Sequence, residues 1–298
     1  MNDILKSHIA LFFANLIYAL TFTLAKDIMP DTIQPMGLIL IRIMGAMLLF
    51  HLAHRLWVKE TVKRKDYGLF ILCGLFGVAL NMTFFLKGLN YTTPIHAAVT
   101  MTSAPIIIFI LAVIFHGEKK STPRILGVAL GAVGAIVLAV YGREFETGIP
   151  KLAQGNLYVF INAVSYAIYL TLVKPLMSQY HFLTITKWMF TVAFVVILPF
   201  GIDELFLVEW KEISKTIWAE IAFVVVGTSF LAYLCNIYAL KRLQASTVGF
   251  YIYLQPVLAT IIALMLGSDQ LDPIKILASF IIFLGVYLVS RKTKAVEP

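Results

Sequence analysis

Charge is scarce in this sequence. Only 13% of its 298 residues are Asp, Glu, Lys or Arg, about half the share of a typical soluble domain. By contrast 60% are hydrophobic, and the mean hydropathy is +0.88. A soluble core of this length has too little interior for so much apolar surface, so lipid is the expected solvent. Cysteine is nearly absent too. Cys73 and Cys235 both fall within apolar runs, which excludes a disulfide framework and any cysteine-based metal spacing. No Gly-Lys-Ser/Thr phosphate loop is present, which argues against an ATP-driven pump. Neither G-x-S-x-G, H-E-x-x-H nor C-x-x-C occurs. The histidines, at His8, His51, His54, His96, His116 and His181, are scattered, and no Asp or Glu lies deep in an apolar run. No metal, cofactor or catalytic residue is expected.

What the chain does have is apolar runs of membrane length. A helix needs about 20 predominantly apolar residues to cross a hydrocarbon core roughly 30 Å thick. Ten such runs lie at 8–26, 36–57, 67–88, 94–115, 124–141, 154–176, 183–200, 217–240, 246–266 and 274–290. They are continuous and lack period-2 alternation, so they read as helices and not as barrel strands. The linkers are too short for a soluble domain. The first run resembles a signal peptide in its flanks, but Leu24-Ala25-Lys26-Asp27 is no small-residue cleavage site. It counts as the first span.

Alternate assignment of the loops puts fifteen Lys and Arg on the N-terminal side and seven on the other, with Arg42 and Lys187 inside spans. The positive-inside rule then places both termini in the cytoplasm. The net charge of +8 is therefore topology, and no nucleic-acid partner is expected. The expectation is a multi-pass protein of the inner (plasma) membrane, in contact with the lipid bilayer, as a monomer or a homodimer.

The chain repeats itself. At an offset of 148, Tyr18, Ala19, Thr23, Leu24 and Lys26 meet Tyr166, Ala167, Thr171, Leu172 and Lys174. At an offset of 151, Leu89, Pro105, Ile110, Ala112, Leu126 and Gly134 meet Leu240, Pro256, Ile261, Ala263, Leu277 and Gly285. Two halves follow, 1–146 and 147–298, of five spans each. An odd number of crossings inserts the second half upside down. Inverted repeats allow a midplane site to be exposed to either side in turn; a duplication that merely builds a stable bundle is the alternative.

Polar side chains inside a bilayer must face protein or water. Spans 5 and 10 are almost purely apolar, and spans 2 and 7 are little better. The polar load sits elsewhere, at helical spacing. Span 1 carries Asn15, Tyr18 and Phe22 on one face; span 6 carries Asn162, Tyr166 and Tyr169; span 8 carries Ser229, Tyr233 and Asn236. Span 3 offers Asn81, Phe85 and Lys87. Span 4 offers His96, Thr100, Thr102 and Ser103, and span 9 offers Tyr251 and Gln255. Amides and hydroxyls orient a ligand while aromatic faces bury its apolar part. Ordinary interhelical hydrogen bonding is the competing account of each residue. Pro105 and Pro256 free a backbone carbonyl each and are read as hinges, or as passive kinks. Arg42 and Lys187 are read as snorkelling cations, with anion binding or gating as the alternative. Lys26 and Lys87, near the outer face, are candidates to attract an anionic substrate. Gly127 and Gly131 form a GxxxG pair for close helix packing.

Tyr18-Ala19-Leu20-Thr21-Phe22-Thr23-Leu24-Ala25-Lys26, its second copy Ser165-Tyr166-Ala167-Ile168-Tyr169, Pro105 through Gly117-Glu118, and the glycine-rich Gly127 to Val137 resemble motifs of one family. They are similar to the EamA-type members of the ten-helix drug/metabolite transporter superfamily, over essentially the whole chain. Tyr18-Ala19 stands where many members carry Trp-Gly, and Asp269 where the second repeat often carries Glu. The resemblance implies an all-α integral membrane protein with a central cavity lined by helices 1, 3, 4, 6, 8 and 9, the six spans that carry the polar load. The expected function is secondary transport of a small amphipathic metabolite, such as an amino acid. A membrane enzyme and a lipid-binding scaffold are the rival readings.

Overall fold

The computed structural model describes residues 3–118, 121–141, 150–265 and 273–290, and its regular structure there is entirely helical. The repeat boundary at 146/147, Asp269 and the loop cations Lys119, Lys120, Arg143, Arg291, Lys292 and Lys294 lie outside those residues. Ten helical segments follow one another: α1 (Asp3–Ile28), α2 (Pro35–Trp57), α3 (Arg64–Tyr91), α4 (Pro94–Met101 continued by Ser103–His116), α5 (Thr122–Val140), α6 (Leu152–Met177), α7 (Phe182–Phe206), α8 (Lys215–Leu240), α9 (Ala245–Phe250 through Leu254–Met265) and α10 (Pro273–Ser290). Eight have the length and apolarity to cross a membrane. The shorter apolar helices α5 and α10 have 19 and 18 residues, inside the range of about 17–25 for a spanning helix.

Large apolar side chains face outward at every third or fourth position. Examples are Leu48, Leu52 and Leu56 on α2, Ile106, Ile110 and Ile114 on α4, and Ile276, Phe280, Phe283 and Tyr287 on α10. Lipid is the solvent that makes such stripes stable. The packing has its own regularity: α5 lies against α10, α2 against α7, α3 and α4 against α6, and α1 against α8 and α9. Exchanging each helix for the one five places on leaves this pattern unchanged.

Two reciprocal caps join α2 and α7. The N–H of Gly37, in the first turn of α2, donates to Glu204 Oε2 in the last turn of α7 at 2.8 Å. At the start of α7, His181 N and Thr184 Oγ1 donate to Glu60 Oε2, just beyond α2, at 3.0 and 2.5 Å. Each carboxylate satisfies orphan donors at the positive end of the other helix. The first cap bears on a boundary: the sequence ends span 7 at 200, whereas α7 continues past Pro199 to Phe206, bringing Glu204 onto α2.

Glycine sets the closest approach. A Cβ at Gly285 would lie 2.7 Å from Gly127 O, and one at Gly127 would lie 2.7 Å from Gly285 O, so α5 and α10 touch backbone to backbone, as the GxxxG reading expected.

Candidate functional site

Four of the helices that meet at the centre of the bundle are irregular. α3 widens into a π-helical turn at Leu75–Ala79, and α8 does the same at Phe223–Ala232. α4 breaks at Thr102, and α9 tightens into a 3-10 turn at Tyr251–Tyr253. These last two breaks lie just ahead of Pro105 and Pro256. Proline lacks the N–H that would bond the carbonyl four residues back, here that of Met101 and of Ile252. Both residues line the cavity described next. Both breaks therefore fall within one turn of the two prolines.

Between these helices lies a cavity of about 720 Å³ of atom-free space, its open mouth included. Its polar wall holds Asn15, Tyr18, Thr21 and Arg42, then Asn81, Asn162 and Tyr166, and finally Thr228, Tyr233, Asn236 and Gln255. Apolar surface comes from Phe22, Met82, Phe85, Met101, Val248 and Ile252, with Phe22 and Phe85 edge to face at 5.1 Å. The six expected helices contribute, and α2 adds Arg42.

Hydrogen bonds lace the wall across the two halves. Asn236 Nδ2 donates to Tyr18 Oη at 2.9 Å, and Gln255 Nε2 donates to Asn15 Oδ1 at 3.0 Å. Thr21 and Thr228 share a hydroxyl contact of 2.8 Å. Asn162 Nδ2 donates to Asn81 O at 2.8 Å. The π turn of α3 exposes carbonyls that the second half takes up. Ser165 Oγ donates to Phe76 O at 2.7 Å, and Tyr233 Oη donates to Gly77 O at 2.9 Å. π turns of this kind are frequent at functional sites because they open backbone groups to outside partners.

Arg42 corrects its snorkelling reading. It is 3% exposed and turned inward: Nε donates to Ser229 Oγ at 3.0 Å, and that hydroxyl donates on to Val224 O at 2.9 Å. Nη1 is buried and has no hydrogen-bond partner. Lys187, half-buried, lies over the Trp188 ring at 5.7 Å.

Of the expected site residues, Asn15, Tyr18, Phe22, Asn81, Phe85, Asn162, Tyr166, Tyr233, Asn236 and Gln255 meet at the cavity. The others are placed elsewhere. The hydroxyls of Thr100, Thr102 and Ser103 turn back on their own helix, donating to His96 O, Val99 O and Thr100 O. Short hydroxyl side chains reach the preceding turn easily. His96 pairs through Nδ1 with Thr93, at the N-terminus of α4. Ser229 stands behind Arg42. Tyr169, 2% exposed, packs behind Tyr166 and against Gly77. Tyr251 reaches past the cavity to His8 Nδ1, 2.7 Å away at the start of α1. Lys87 is half-buried outside the lining. Lys26 directs its ammonium to the backbone at the end of α3, 3.1 Å from Leu89 O.

Residues missed from the sequence are Thr21, Arg42, Thr228 and four apolar side chains. Thr21 was within reach, three residues after Tyr18 and on its face. The apolar lining has no polarity to betray it.

Comparison with known proteins adds the lineage. The model of the EamA-like transporter family matches the chain twice, over residues 5–140 and 153–291. An uncharacterized transporter of Bacillus subtilis, YyaM, is 26% identical over 233 residues, 78% of this chain and 76% of its own length. A WAT1-related protein of Arabidopsis thaliana is 28% identical over 250 residues, covering 74% and 63% of the two chains. A probable terminal-alkyne amino-acid exporter of Streptantibioticus cattleyicolor is 24% identical over 234 residues, covering 78% and 75%. One crystal structure of a protein superposes with a TM-score of 0.76 over 95% of this chain and 96% of the other, at 17% identity; that likeness is one of fold. With both halves matched by its model, this chain belongs to the EamA-like transporter family.

Proposed function

We propose that the protein is a secondary carrier (an exporter, exchanger or facilitator) of a small amphipathic metabolite such as an amino acid. In this reading the halves 1–146 and 147–298 are inverted repeats that rock about the cavity, with both termini cytoplasmic in an inner (plasma) membrane. The observation that carries it is the cavity wall. Five carboxamides and three tyrosines converge there with Phe22 and Phe85, from helices that belong to both halves. A purely structural bundle has no need of so many polar side chains within its membrane helices, where each must be given protein or water to face. Apart from the Arg42–Ser229 contact, the cross-half hydrogen bonds of the wall are between neutral groups, so one arrangement can be exchanged for another at modest cost. Interhelical bonds of this type are worth about 0.6 kcal/mol on average in a membrane. The names of the relatives support the transporter class, and the Streptantibioticus cattleyicolor protein supports amino acids as the first solutes to try.

The experiment is counterflow in proteoliposomes with a mixture of amino acids read by mass spectrometry. Tyr166→Ala and Gln255→Ala are expected to abolish flux while inserting and folding normally. Unchanged flux in both variants refutes the cavity as the route. Turnover of a lipid or ester in place of solute movement would establish the enzyme instead.

A further inference from the structure

A buried guanidinium without a carboxylate is an unfinished site. Arg42 is 3% exposed, its Nε is held by Ser229 Oγ at 3.0 Å, and its Nη1 is buried with no partner. Among the described residues no Asp or Glu lines the cavity that Arg42 faces. Among the described residues the ion pairs are Lys6–Asp3, Arg124–Glu118 and Arg242–Asp3, none of them with Arg42. Leaving a cation at this depth uncompensated is costly. A planar guanidinium with one edge anchored presents its other donors in the fork that suits a carboxylate. The rest of the wall is neutral, so an incoming anion meets no repulsion. One further lining atom, Asn162 Oδ1, is buried and unpartnered. It is an acceptor, complementary to a donor on the same solute.

We propose that Arg42 is the substrate's counter-ion: the carrier binds its solute through a carboxylate seated on the Arg42 guanidinium. This rests on the carrier reading above and narrows it to carboxylate-bearing solutes. The Ser229 contact makes π-turn residues of α8 part of the anchor. Occupation of Arg42 is thereby felt at a deformable point of a helix in the second half.

The test compares proteinogenic amino acids with their α-carboxamides, in which a neutral group replaces the carboxylate and the side chain is kept. Full-length protein is assayed by proteoliposome flux and by ligand-induced thermal shift in detergent. Wild type is expected to carry and be stabilised by one or more acids and to ignore the matching amides. In R42Q, affinity for the acid falls by about 10- to 150-fold, the loss expected for a charged hydrogen bond of about 1.5–3 kcal/mol. R42K keeps the preference for acid over amide with weaker binding. Without ligand, R42Q melts no lower than wild type, because it loses an unpaired buried charge. Equal transport of acids and amides by wild type, or an acid preference retained in R42Q, overturns the assignment while leaving the carrier intact. If ligand-free R42Q and R42K both melt well below wild type, Arg42 is a strut and the assignment falls. Acid-selective thermal shifts without any flux sustain the Arg42 site and refute the carrier reading.

Discussion

Replacing Gly285 by alanine adds one methyl group where α10 meets α5. Its carbon would lie 2.7 Å from Gly127 O, 2.8 Å from Gly131 N and 3.1 Å from Gly131 Cα, against the ~3.5 Å at which such contacts become favourable. All three atoms are helix backbone, so no rotamer relieves the clash and the helices must part by the better part of an ångström. Overpacking of this kind costs about 1–3 kcal/mol. The helix preference of alanine over glycine returns roughly 0.5–1 kcal/mol, which leaves, at the middle of the two ranges, a net destabilisation of about 1 kcal/mol. The same substitution at Gly68, in the exposed first turn of α3, meets no heavy atom within 4 Å. There only the preference remains, and Gly68→Ala is expected to stabilise by about 0.5–1 kcal/mol. Helicity followed through an SDS titration of the purified protein in mixed micelles reads both. Since α5 and α10 supply no cavity side chain, flux per folded molecule should be unchanged in Gly285→Ala. Two variants that shift the same way, or Gly285→Ala as stable as wild type, would refute the claim that glycine is required for backbone contact here.

Three further outcomes follow from the ends and kinks of the helices. Glu204→Ala, which strips the cap from α2, should cost about 0.5–1 kcal/mol in the same titration, and Glu60→Ala should match it on α7; if only one variant is destabilised, the reciprocal capping is wrong. His181 accepts the Leu183 N–H through Nδ1 at 3.3 Å as the N-cap of α7, and burial, with Lys241 second, holds its imidazole below the ordinary pKa of 6.5. A histidine with a depressed folded pKa contributes stability that is full above the unfolded value and is lost as pH falls through it. The melting temperature should therefore drop below about pH 6.5 more steeply in wild type than in His181→Asn, and parallel pH profiles would count against this. Pro256→Ala restores a backbone donor for Ile252 O and should slow maximal flux while leaving substrate affinity near wild type; loss of affinity with unaltered maximal flux would make the kink part of the pocket and not a hinge.

How much of the site could be read in advance depended on the type of side chain. Tyr18, Asn236, Asn15 and Gln255 were legible because a tyrosine or carboxamide in a lipid-bound helix has few places to go. Each reaches beyond its own backbone and must find another helix or water. Thr100, Thr102 and Ser103 carried the same polarity but had a second outlet, the carbonyl of the preceding turn, and took it. Tyr169 and Tyr251 share faces with cavity residues, yet ring packing against Gly77 and a hydrogen bond to His8 draw them away. Arg42 was the reverse case. Its helix looked too apolar to line a cavity, and a cation near a span end usually snorkels. Only its placement opposite Ser229, 187 positions along the chain, turned it inward.

The sequence by itself determined the solvent, the helical class and the ten apolar runs that become the ten helical segments. A bilayer leaves backbone groups no partner outside their own segment, so local composition suffices for all of these. Tertiary structure alone decided which polar groups meet one another: Glu204 on α2, Tyr233 on the π turn of α3, and Arg42 with one nitrogen still unpaired. Those outcomes depend on helix rotation and on contacts between residues more than a hundred positions apart. The length of an apolar run fixes which segments enter lipid, but it leaves their partners to packing.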